Sequence, residues 1–233
     1  MRSAMPTPAQ VASAFQKEVA STLNLHDELL LAVAKHPKRR PLENMLVEQC
    51  VLGVTVLWEG FIHDLIVAYI EQKPDDCVRF HKDKVTQSIK EKNQIFLTWM
   101  TISVPAVLSK ADIELMVDPK GWNITAESSA ALSKLTNQIL PGATARKFSL
   151  NEADGKLVDF TISIRNYLSH RSTGSLTIMK NRLRDFQKAD KTSPLRGKFT
   201  EMGPYLMRRL KYAPGSRAKV IGLSLSALAG RLV

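Results

Sequence analysis

Residues 42–72 read LENMLVEQCVLGVTVLWEGFIHDLIVAYIEQ. Leu46, Val51, Leu52, Val54, Val56, Leu57, Phe61, Leu65, Ile66 and Tyr69 fall nearly all round a 3.6-residue repeat. A helix that is apolar on every side has to be surrounded, so this segment predicts the buried centre of a helical bundle. Upstream, Val11, Phe15, Val19, Leu23, Leu29, Leu30 and Val33 keep roughly helical spacing from about Pro8 to Lys35. Between the two, His36-Pro37-Lys38-Arg39-Arg40-Pro41 reads as a turn, because two prolines bracket a charged cluster. Lys73-Pro74-Asp75-Asp76 ends the long helix, and Asp76 is suited to cap the next one.

Residues 76–147 predict shorter helices at about 77–92, 94–101, 110–117 and 125–139. Pro105, Pro119-Lys120-Gly121 and Pro141-Gly142 punctuate them, and Lys120 to Thr125 reads as an exposed loop. Ser149 or Asn151 then opens a helix to about His170, with Glu152 and Asp154 in its first turn, where the helix dipole favours acids. Ser172-Thr173-Gly174 breaks the chain, Leu176 to about Ala189 resumes as helix, and Ser216 to Leu232 reads as a short amphipathic one. No segment sustains period-two alternation. The expected fold is therefore all-α: an antiparallel helical bundle with additional C-terminal helices.

Length and composition agree. The chain has 233 residues, 44% hydrophobic, which suits one domain with a substantial extension. Cys50 and Cys77 lie far apart and show neither zinc spacing nor a disulfide framework, so two buried, reduced thiols are expected. The N-terminus lacks the apolar core of a signal peptide, and no uninterrupted apolar run reaches the roughly 18 residues of a membrane span. A cytoplasmic protein without a membrane anchor is the expectation. No Walker A sequence, Gly-rich dinucleotide loop or Gly-x-Ser-x-Gly elbow occurs, so nucleotide-driven and serine-hydrolase chemistry lack support, and no cofactor is expected. His26, His36 and His81 show no metal-ligand spacing, and no metal site is expected.

The net charge of +11 is unevenly placed. Residues 1–170 balance 19 Lys and Arg against 19 Asp and Glu, whereas residues 171–233 hold 14 basic residues against 3 acids. A basic block of this kind attracts polyanions, of which nucleic acid is the commonest, or is simply a solvated tail.

The helix at 149–170 carries the chemical signal. Leu150, Ala153, Leu157, Phe160, Ile164 and Leu168 form its core stripe. A second line, Val158, Ile162, Asn166 and His170, starts apolar and ends polar. Its apolar half has no obvious partner within the chain, which suits a helix with one face in a dimer interface. Asn166 projects between Arg165 and His170, so three polar groups gather at one helix end. An imidazole with an ordinary pKa of about 6.5 can move protons near neutral pH. A guanidinium matches a phosphate in charge and planar geometry. An amide can orient either group. Together they suit metal-free RNA cleavage, in which the internal 2′-OH attacks the adjacent phosphorus. Taken alone, the same residues also fit an ordinary polar helix end.

Arg165-Asn166-Tyr167-Leu168-Ser169-His170 resembles the signature of the HEPN ribonuclease superfamily: an Arg followed by a polar residue, then His a few positions on. Leu57-Trp58-Glu59-Gly60-Phe61-Ile62-His63-Asp64-Leu65 is similar to an earlier bundle helix of that superfamily, and the nearest branch is the RiboL-PSP-HEPN-like group. The resemblance spans about 10–190. It implies a HEPN-type helical-bundle domain over 1–190, followed by a basic, partly helical C-terminal extension over 191–233. It also implies a homodimer in which two motifs face each other, and a metal-independent endoribonuclease acting on tRNA or mRNA. Such a protein would serve as a toxin or antiphage-defence effector, with a possible antitoxin or defence-system partner protein.

Under this resemblance His170 is the general acid and base, Arg165 binds the scissile phosphate and Asn166 supports them. Glu59 either orients Arg165 or His170 or is a helix-surface acid. His63, one turn from Glu59, either faces the site or is structural. Tyr167 packs or stacks on a base. Arg171, Lys180, Arg182 and Arg184 are the RNA-backbone candidates, Arg171 being equally a member of the basic segment. Two other functions fit: a non-catalytic HEPN module binding a partner protein or RNA, and a nucleic-acid-binding protein whose activity lies in the basic C-terminal segment.

Overall fold

The computed structural model describes residues 6–92, 95, 97, 103, 108–118, 127–210 and 215–233. The helices are α1 (Pro8–Ala32), α2 (Arg39–Gln72), α3 (Pro74–Lys92), α4 (Lys110–Val117), α5 (Ser129–Ile139) and α6 (Gly142–Ala145). A 3-10 turn at Arg146–Phe148 leads to α7 (Glu152–His170), α8 (Thr173–Ala189), α9 (Met202–Met207) and α10 (Arg217–Arg231). The all-α expectation holds: the described residues contain no strand, only one isolated bridge between Arg209 and Ser216.

Local chemistry sets many of the boundaries. Thr7 and Gln10 form a capping box ahead of Pro8, and Ser109 and Asp112 form another ahead of α4. Asn151, not Ser149, caps α7, accepting from the Asp154 amide. Several boundaries differ from expectation. Helix α2 begins at Arg39, so Arg40 and Pro41 occupy its first turn, where a proline's missing N–H has no intrahelical acceptor to lose. Helix α3 begins at Pro74, which leaves Asp76 inside its first turn and not at its cap. Ser172 caps α8, shrinking the expected break to two residues and starting that helix at Thr173. Gly203-Pro204, a pair that commonly marks a turn, lies in the first turn of α9. Apart from positions 95 and 97, the helix expected at 94–101 lies outside the described residues, as does the loop at 120–125.

Helix α2 is the axis of the bundle. Val47, Val51, Val54, Leu65 and Ile66 are all at most 1% exposed. By length and composition α2 would also suffice to cross a membrane, contrary to the expectation from sequence. Half of that stretch is buried against the rest of this chain, which is the pattern of a core helix.

Helix α1 lies antiparallel to α2: Phe15 stacks on Phe61 at 4.7 Å between centroids and meets Trp58 edge-on at 5.9 Å. Helix α10 lies antiparallel to α1. The Gln16 amide donates to the Ser226 carbonyl at 3.0 Å, and Gly222 sits so close to Leu23 that an added Cβ would come within 3.1 Å of its methyl. The Tyr69 hydroxyl, near the end of α2, donates to the Leu232 carbonyl at 2.7 Å. Helices α7 and α8 form an antiparallel hairpin in which Phe160 and Phe186 stack.

The basic composition that sets residues 191–233 apart in sequence does not set them apart in packing. Leu195, Met202, Tyr205, Leu206, Ile221, Leu225 and Leu228 belong to the same core as α1 and α2. Arg217, counted in the sequence with the basic segment, is 1% exposed. It donates to the carbonyls of Arg196 (2.6 Å) and Tyr205 (3.2 Å), and its guanidinium lies 4.2 Å from the Tyr205 ring centroid. Both cysteines are buried and unpaired, and burial pushes each thiol up to about 11.

His26 in α1 is 4% exposed and its Nε2 has no hydrogen-bond partner. Burial lowers its pKa from 6.5, Asp27 opposes this and Lys219 adds to it. Because the folded pKa is the lower one, the unfolded chain takes up a proton first as pH falls below about 6.5, and stability declines from there down through the folded pKa. The melting temperature should therefore drop between about pH 7.5 and pH 5.5, and drop less in His26→Leu. An equal drop in both proteins would show that another group is responsible.

Candidate functional site

The site forms where the C-terminal end of α7 lies along α2. Arg165 pairs with Glu59, and Arg171, the residue after α7, pairs with Glu48 at 2.5 Å. As α7 ascends from 165 to 171, α2 descends from 59 to 48, so the two helices run antiparallel. Both acids are mostly buried, with side chains 13% exposed; the Arg165 side chain is drawn against the bundle at 22% exposed, whereas that of Arg171 stays 53% exposed. Glu48 also raises the pKa of Arg171, chiefly through their hydrogen bond.

Arg171 adopts a left-handed conformation (φ 50°, ψ 22°), unique among the described non-glycine residues, and its amide donates to the Tyr167 carbonyl at 2.7 Å. This is the αL way of ending a helix, usually given to glycine, and it costs a residue that carries a Cβ about 1–2 kcal/mol. The Glu48 contact and the Tyr167 ring, 5.6 Å from the Arg171 guanidinium carbon, hold the side chain in place.

Asn166 and Tyr167 are half-buried, and Ser169 and His170 are exposed. The structure thus brings Glu59 to Arg165, one of the two pairings the sequence offered for Glu59. The expectation of an unpartnered second face on α7 is overturned: Val158 and Ile162 are 1% and 2% exposed within the single chain. The core wraps farther round α7 than one stripe, so only Asn166 and His170 of that line reach the surface.

The other candidates separate. His63 lines a cavity of about 360 Å³ between α1 and α2, with Glu18, Phe15 and Asp64, whose walls include neither Arg165 nor His170. Its Nδ1 is buried without a partner. Arg182 lies 3.4 Å from Asp159, a 7%-exposed carboxylate that also accepts from the Ser129 amide, so the guanidinium ties α8 to α7 and the carboxylate ties α7 to α5. Arg184 bonds Asn181 on its own helix. Lys180, Arg184 and Lys188 are exposed one turn apart along α8, and Lys180 lies 5.6 Å from the Phe199 ring centroid.

A second cavity of about 360 Å³ opens beside the end of α7, among Asn44, Glu48, Tyr167, Arg171, Phe199 and Glu201. Sequence reasoning passed over Glu48 and Phe199. The signal for Glu48 was present: it precedes Glu59 by eleven residues, three helical turns, which puts both acids on one face of α2. Phe199 had none, because it comes from a connecting segment. Among the described residues no group of three or more His, Cys, Asp and Glu is placed to hold a metal ion. No model of a known protein family, curated protein or solved structure matches this chain.

Proposed function

We propose that this protein is an endoribonuclease of HEPN type, a helical bundle cleaving single-stranded RNA by attack of the 2′-OH on the neighbouring phosphorus. The observation that carries the reading is the grouping at the end of α7. His170 is exposed to an incoming substrate, Asn166 lies one turn before it, and Arg165 is steadied by Glu59 beside them. A base at His170 takes the 2′-OH proton as the O–P bond forms, and an acid returns a proton to the departing 5′-oxygen. In a twofold pair of chains the two His170 imidazoles divide these roles. Arg165 balances the charge that grows on the phosphoryl oxygens, and Glu59 holds the guanidinium until phosphate competes for it. The exposed Lys180, Arg184 and Lys188 attract the rest of the backbone.

The purified chain should cleave an RNA oligonucleotide in EDTA, leaving 2′,3′-cyclic phosphate and 5′-hydroxyl ends, and should leave the all-2′-deoxy version intact. Cleavage of the deoxy strand, or activity that disappears with EDTA, would remove this mechanism. The Arg165–Glu59 pair favours a second reading, a non-catalytic HEPN module that binds RNA or a protein partner, because it already neutralises the phosphate-binding cation. RNA binding with no cleavage of any RNA would select that reading. Action as a toxin or defence effector within the cytoplasm is part of the proposal, with tRNA or mRNA as the target.

A further inference from the structure

The cavity beside α7 combines features that do not recur elsewhere in the site. Two aromatic rings line it, Tyr167 from α7 and Phe199 from the segment before α9. Each ring has a cation near its face, Arg171 and Lys180 respectively. The remaining polar residues in its walls are Asn44, Glu48, Thr200 and Glu201. Oε2 of Glu48 is engaged by Arg171. Glu201 is exposed and makes no capping hydrogen bond with its side chain.

Flat aromatic walls with adjacent cations and a few hydrogen-bonding edges suit an unstacked nucleobase. The edges discriminate further. A carboxylate only accepts, so it pairs with the N1–H and N2 amino group of guanine, whereas adenine presents an acceptor at N1. A guanidinium donates to guanine O6 and N7. Neither pyrimidine offers both patterns.

We propose that this cavity is a guanine subsite, holding a base next to the phosphate that Arg165 and His170 act upon. The assignment rests on the ribonuclease reading for its purpose, but the cavity binds a nucleobase whether or not cleavage follows. Phe199 and Tyr167 supply the stacking walls. Glu201 reads the Watson–Crick edge and Arg171, held by Glu48, reads O6 and N7. Arg171, in the αL conformation that ends α7, reaches Glu48 on α2 and lines this cavity.

The test is calorimetric titration of the full-length chain with GMP, AMP, CMP and UMP, for wild type and for Phe199→Leu and Glu201→Gln. GMP should bind at least ten-fold tighter than the other three. Phe199→Leu should weaken all base binding about five-fold or more through lost stacking. Glu201→Gln, an exposed change that does not touch the core, should reduce the preference for GMP over AMP and leave the protein folded by circular dichroism. Equal binding of the four nucleotides, or GMP affinity unchanged in both variants, overturns the subsite. RNA cleavage with no enrichment of guanine beside the cut also overturns it while leaving the nuclease standing. GMP binding with these variant effects, in a protein that cuts no RNA, supports the subsite and removes the nuclease.

Discussion

His170→Ala should lower the rate of RNA cleavage by about 100-fold to 10,000-fold, the usual contribution of a positioned general acid or base. The same change should leave the fold intact. His170 is exposed at the last position of α7, and surface substitutions of that kind generally move stability by about 0.5 kcal/mol or less. The pair of measurements matters more than either alone: single-turnover cleavage of a defined RNA, and thermal melting of the same preparation. Activity retained within about three-fold of wild type would exclude His170 as the proton-transfer group. Loss of activity together with a collapsed melting curve would make the residue structural, in conflict with its exposure.

Arg217→Ala should be among the most destabilising single changes in the chain. The side chain is enclosed, its guanidinium donates to two backbone carbonyls, and it lies against the Tyr205 ring. Truncation leaves those carbonyls facing a cavity without donors, and the two effects together cost about 3–5 kcal/mol. Total stability of a domain is about 5–15 kcal/mol, and at about 2–4 °C per kcal/mol for a chain of this size the melting temperature should fall by roughly 6–20 °C. Arg231→Ala is the control. Its pair with Asp154 is half-exposed on the arginine side, and such a pair is worth about 1 kcal/mol or less. Equal melting of the two variants would show that the buried guanidinium does not tie 196–205 to α10.

The chain packs closely around the Arg217 guanidinium. At Gly197 the backbone has φ 144°, and an added Cβ would lie 2.2 Å from an Arg217 nitrogen. Burial lowers the Arg217 pKa from its ordinary value, yet an arginine keeps its charge, so the site holds a desolvated cation answered by carbonyl dipoles and a π face instead of a carboxylate. Overall positive charge attracts RNA only through residues on the surface. Arg217 contributes to the sum without contributing to the surface, and Arg182 and Lys219 are largely answered by Asp159 and Asp27.

Much of the architecture was legible in the chain before any packing was known. The all-round apolarity of 42–72 already required a central helix, and Leu157, Phe160 and Ile164 already marked the inner side of α7. Both follow from the 3.6-residue repeat, which is a property of consecutive residues. The grouping of Arg165, Asn166 and His170 at one helix end is legible for the same reason.

Only the tertiary structure decided which neighbour each face meets. Periodicity says that Val158 and Ile162 must be covered; it does not say whether this chain or another covers them. It places Glu48 and Glu59 on one side of α2, but their pairing with Arg171 and Arg165 depends on α7 lying antiparallel alongside. The strongly basic C-terminal segment looked like an appendage because charge is counted along the chain. Burial depends on contacts between residues some 200 positions apart, such as Gln16 with Ser226, and no local pattern encodes those.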